Sequence, residues 1–166
     1  MPEPTVVTLL ARPSIVIGAL DRVVFGLWLP VPSKIDDARE AVRASVDYLK
    51  SSAKQDAGFI VAIHAKTAMP DEDLRTVIQR EMPRLDPHVC CGATILARDG
   101  FAGAAVRAIL STMQLVTRPS HPEKVVASGD EAARFVAGER AKRGASSPSE
   151  RAIADAFRVL AAEHWR

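Results

Sequence analysis

Residues 14–39, SIVIGALDRVVFGLWLPVPSKIDDAR, hold two apolar runs, a polar pair between them and a change of period after them. SIVIGAL and VVFGLWL are rich in β-branched and aromatic side chains and read as strands. Asp21-Arg22 supplies the short polar break of a β-hairpin, which places the turn at Leu20 to Arg22. Pro30 and Pro32 end the second strand, because proline has no N–H to donate to a ladder. Ser33 then stands where a helix cap belongs, with Asp36 and Asp37 near the positive helix end. Ile35, Ala38, Val42, Val46, Leu49 and Ala53 follow at three- and four-residue steps, one face of an amphipathic helix.

The same reading extends in both directions. Upstream, TVVTLL has strand character. Downstream, GFIVAIHA is a continuous apolar run, the pattern of a strand covered on both faces. Met69-Pro70-Asp71 opens a second helix, with Leu74, Val77, Ile78 and Met82 on one side and Pro83 and Pro87 bracketing its end. VCCGATILA repeats the strand, residues 100–116 read as an alanine-rich helix, and KVVAS is a short last strand. Gly129-Asp130 leads into the helix EAARFVAG. The order predicts an α/β fold: a mixed sheet that begins with an antiparallel hairpin and continues in β-α repeats through right-handed parallel crossovers.

KRGASSPSE is a polar linker, and SERAIADAFRVLAAEHW a final helix with Ser149 as its cap. Ile153, Phe157, Leu160 and Trp165 give that helix an apolar stripe. The expected division is an α/β domain over 1–141, a linker over 142–149 and a C-terminal amphipathic helix over 150–166. The stripe is expected to bury against the same domain, with a second subunit as the alternative.

The bulk numbers exclude several classes. A chain of 166 residues, 48% hydrophobic and 25% charged, is long enough for one domain with its own core. Its net charge of +2, from 22 basic and 20 acidic residues, makes no electrostatic case for nucleic acid. No apolar run reaches the ~18 residues of a membrane span. MPEPTVVTLLARP carries acid and proline where a signal peptide needs a basic start, so a cytoplasmic location is expected. Neighbouring strand residues face opposite ways, so Cys90 and Cys91 are expected to diverge and to act as two small buried hydrophobes.

Three stretches carry a family resemblance: VVFGLWLPVPSKIDDAR, RDGFAGAAVRAILSTMQLV and RPSHPEKVVASGDEAARFV. Over residues 6–140 the chain resembles the STAS-like domains of anti-sigma-factor antagonists, and more narrowly the SpoIIAA-like, STAS/SEC14-related group of bacteria. The resemblance implies a STAS-like fold and a non-catalytic, regulatory protein–protein interaction module. Its partner would be another protein or a second copy of itself, met through the faces of the second and third helices. Arg75 and Arg107 lie on those helices, and Trp28 is an aromatic candidate for the same surface. STAS-type antagonists carry a phosphorylatable hydroxyl after the strand preceding the second helix, in an Asp-Ser-Ser-Gly context. The matching stretch here is FIVAIHAKTAMPDED, where Thr67 is the only hydroxyl and that context is missing. SpoIIAA-like domains also resemble lipid carriers. This implies an alternative: a carrier for a lipid or small amphiphile, with an apolar cavity beneath residues 101–116.

In an open α/β sheet, ligands sit beyond the carboxyl ends of the parallel strands. That edge gathers residues 30–33, 64–67, 98–101 and 128–130, and its binding candidates are His64, Lys66, Thr67, Arg98, Gly100 and Phe101. The Gly-x-Ser-x-Gly turn, the Walker pattern and the dinucleotide fingerprint are all missing. Two adjacent cysteines and four scattered histidines (His64, His88, His121, His164) do not make a zinc site. Gly100 and Gly103 open a helix, where they serve packing or, with Arg98, an anion contact. No catalytic residue, metal or cofactor is expected. A small hydrolytic or transfer enzyme using His64 and Thr67 ranks last.

Overall fold

Leu20 and Val23 pair directly across Asp21-Arg22, and Asp21 takes the left-handed φ of 49° that so tight a reversal requires. The computed structural model describes residues 5–96, 104, 107, 108 and 119–165. Its strands are β1 (Val7–Ala11), β2 (Ile15–Leu20), β3 (Val23–Trp28), β4 (Ala57–Ile63), β5 (Val89–Leu96) and β6 (Glu123–Val126). They form one six-stranded mixed sheet in sequential order. Strands β1, β2 and β3 are antiparallel; β3 to β6 are parallel.

Four helices complete the described chain: α1 (Ile35–Leu49), α2 (Glu72–Glu81), α3 (Gly129–Ala141) and α4 (Glu150–His164). A 3-10 turn, Met82–Leu85, extends α2, because Pro83 cannot continue an α-helical ladder. The helix expected over 100–116, with Arg98, Gly100, Phe101 and Gly103, lies outside the described residues. Its exceptions are Ala104, Arg107 and Ala108, which are helical and exposed. No helix among the described residues is long and apolar enough to cross a membrane.

Each sheet face has its own core. Val16, Phe25, Leu27, Ile60, Ala62, Ala93 and Ile95 pack under α3 and α4, with Ala132, Val136, Ile153 and Leu160 facing them. The stripe of α4 is thus buried on its own sheet: Leu160 fills the place a Cβ on Gly18 would take, 2.6 Å away. On the opposite face, Ile15, Ile17, Val24 and Phe59 meet Ala41, Val42 and Leu49 of α1. Helix α2 packs chiefly on α1 and the 3-10 turn and stands off from the strands. That separation shapes the site described below.

Polar ties hold the ends. Arg22 donates to Asp56 Oδ1 at 2.9 Å, Leu49 O at 2.9 Å and Lys54 O at 2.8 Å, fastening the hairpin to the α1–β4 connection. Tyr48 OH donates to Asp21 O at 2.8 Å, bracing the strained turn from α1. Arg140, 1% exposed, donates to Asp56 O at 2.8 Å and Ser147 O at 2.7 Å, so one buried guanidinium joins the start of β4 to the α3–α4 linker.

Three local expectations need correction. Ser33 does not cap α1: Lys34 occupies that position without a side-chain bond, and Ser33 falls one residue outside. Ala53 also lies beyond the helix, which ends at Leu49. Cys90 and Cys91 do not diverge, because the β4–β5 register slips between Ala57 and Gly58 and leaves Cys90 as the extra residue of a bulge. Both thiols turn into the α3-side core, with their sulfurs 3.9 Å apart.

Candidate functional site

Between the sheet and the standing-off helix α2 lies a cavity of about 200 Å³. Its floor is the sheet face presented by Ile17, Gly26, Phe59 and Val61, and its roof comes from Ala41 and Val42 of α1 and from Leu74 and Val77 of α2. Gly26 contributes to the space directly: a Cβ there would meet only Ile17 Cδ1 at 3.5 Å and Phe59 Cζ at 3.9 Å. The opposite face has no such room, since a Cβ on Gly58 would come within 2.3 Å of Val136 Cγ1. Among the described residues, the sheet is filled to contact at Gly58 and leaves room for a Cβ at Gly26.

The upper rim lies at the carboxyl ends of β3 and β4, and part of the expected edge gathers there. Trp28 is half-buried and lines the cavity, as do Ser33 and Thr67. Thr67 is 5% exposed. Its hydroxyl lies 3.1 Å from Leu29 O and 3.3 Å from Trp28 O, and its N–H donates to His64 O at 3.0 Å. The β4–α2 loop is thereby tied back onto the end of β3. Asp71 then caps α2 by accepting the Leu74 N–H at 2.8 Å. This buried, donating hydroxyl is arranged as a structural brace.

His64 belongs to the other side. Its Nδ1 accepts the Lys66 N–H at 3.1 Å, and its ring meets Trp165 edge-on at 5.4 Å between centroids. Trp165 in turn stacks edge-on against Phe157 at 5.8 Å. His64 therefore anchors the end of α4 rather than facing the cavity. Lys66 is exposed at the loop tip, Arg75 is half-exposed on α2 and Arg107 is exposed. Arg98, Gly100 and Phe101 lie outside the described residues.

The lower end of the cavity was missed in the sequence. Thr94 and Glu123 form its wall there, and beyond them a second space of about 90 Å³ continues past Met82 to Asp86 and His121. Glu123 lies beside Gly92, its register partner on β5. His121 Nε2 is 3.3 Å from Glu123 Oε1, and His121 Nδ1 is 3.8 Å from Asp86 Oδ1. His121 and Glu123 stand two apart in the sequence, on either side of Pro122 at the start of β6.

Among the described residues, no group of three His, Cys, Asp or Glu side chains could hold a metal ion. The two thiols lie in the closed core: contact with Cys90 and burial both push the Cys91 thiol up. No protein-family model, curated protein or solved structure matches the chain.

Proposed function

We propose that this chain binds a small apolar or amphiphilic molecule in the space between its sheet and helix α2, acting as a carrier or ligand-responsive module. The observation that carries the reading is the cavity itself, about 200 Å³ and walled mainly by aliphatic and aromatic side chains. A dry apolar cavity of ~150 Å³ takes up benzene or xenon, so this one has room for a ring or a six-carbon chain. Filling it recovers dispersion contacts that the lining otherwise lacks. Native mass spectrometry on gently purified protein, followed by a denaturing run, tests the proposal. The expected result is an extra mass that disappears on denaturation; a bare chain that also ignores added six-carbon ligands would contradict it.

A second reading, the STAS-like interaction module with a protein partner or a second copy, draws on the sequence resemblance and on the outward position of Arg75 and Arg107. It expects the double variant R75E/R107E to lose capture of that partner while folding normally. Unchanged capture would remove this surface from consideration. The two readings are compatible, because α2 both carries Arg75 and roofs the cavity. A ligand that shifts α2 would alter the surface a partner meets.

A further inference from the structure

The large and small spaces share Phe59, Val61, Met82, Thr94 and Glu123 as lining, so they are two lobes of one site with different chemistry. The larger lobe is apolar. The smaller ends on Asp86, His121 and Glu123. Among the described lining residues of either lobe there is no lysine or arginine, whereas Glu81, Asp86 and Glu123 are present. Glu81 is already engaged, its Oε2 lying 3.0 Å from Arg84 Nη1. Glu123 remains at the junction of the lobes.

His121 lies beside that carboxylate. Its side chain is only 7% exposed, and its Nδ1 is buried without a hydrogen-bond partner. The ring stands between Glu123 Oε1 at 3.3 Å and Asp86 Oδ1 at 3.8 Å. The row sets two acidic side chains against one imidazole. A ligand carboxylate placed here would meet like charge. An ammonium would meet opposite charge and form charge-assisted hydrogen bonds.

Resting on the ligand-binding reading above, we infer that the occupant is an apolar amine, its tail in the lobe under α2 and its ammonium against Glu123, with His121 as the positioning residue for that carboxylate. Calorimetric titration of the full chain with hexylammonium chloride, 1-hexanol and sodium hexanoate, at one pH and ionic strength, tests this. Hexylammonium is expected to bind about tenfold or more tighter than hexanoate, the scale of one charge-assisted hydrogen bond. E123Q should remove about tenfold of the ammonium affinity and leave 1-hexanol unchanged, with its thermal unfolding showing that it folds. H121N should weaken the ammonium, and 1-hexanol not at all. If 1-hexanol binds but hexanoate equals hexylammonium, or E123Q leaves the ammonium unaffected, the head-group assignment falls and the cavity reading survives. If none of the three binds, both fall together.

Discussion

Replacing Gly26 by alanine is expected to stabilise this protein, while the same change at Gly58 destabilises it. Both glycines lie in neighbouring central strands, and Gly26 pairs with Val61 three residues along β4 from Gly58. Alanine in a strand loses less backbone entropy on folding than glycine, a gain of ~0.5–1 kcal/mol. At Gly26 the new methyl enters the cavity at ordinary contact distance, 3.5 Å from Ile17 Cδ1 and 3.9 Å from Phe59 Cζ. Burying it adds up to ~0.8 kcal/mol, for a total near 1–1.5 kcal/mol. At Gly58 the methyl would come within 2.3 Å of Val136 Cγ1 and 3.3 Å of Arg140 Cδ. Overpacking of that kind costs ~1–3 kcal/mol and outweighs the backbone gain. Thermal and urea unfolding read both signs, with about 3–5 °C of upward shift for G26A. A destabilised G26A would mean that the space beside Phe59 is filled and would refute the reasoning.

Other outcomes follow from the buried polar and thiol groups. Arg140→Met leaves Asp56 O and Ser147 O without their donor and should cost ~2–4 kcal/mol, read as a lower urea midpoint; a loss under ~1 kcal/mol would show that the linker is held elsewhere. Cys90 and Cys91, at 2% and 0% exposure, should resist alkylation in the folded protein and react only as it unfolds, which mass-shift kinetics in increasing urea will show. Rapid labelling without denaturant would place the β5 bulge at an accessible surface.

The layers of this fold were legible because each rests on local chemistry. Continuous apolar runs gave strands covered on both faces, and polar residues with the right reach marked helix starts: Asp71 and Ser149 each accept a backbone N–H inside the following turn. Ser128 does the same for α3, one residue before the Gly129-Asp130 start read from the sequence. Ser33 fits the same rule by type but sits one residue too early, which only the path of the chain after Pro32 decides. The burial of the cysteine pair was legible, but its divergence was not, because a bulge is a register event between two strands and leaves no trace in either alone. The site was legible only at its rim, where Trp28 and Thr67 end and follow strands. Its interior depends on how far α2 stands from the sheet, a distance set by packing rather than periodicity. Asp86 is far in sequence from His121 and Glu123, and only the parallel β5–β6 pairing brings the three together.

Crystals of the protein pressurised with xenon would test the central claim most directly, because xenon enters dry apolar cavities without needing a particular head group. The account predicts an ordered xenon atom bounded by Gly26, Phe59, Leu74 and Val77 in the wild type, and a weaker one in a variant with leucine in place of Ala41. A xenon-free space at that position would contradict it.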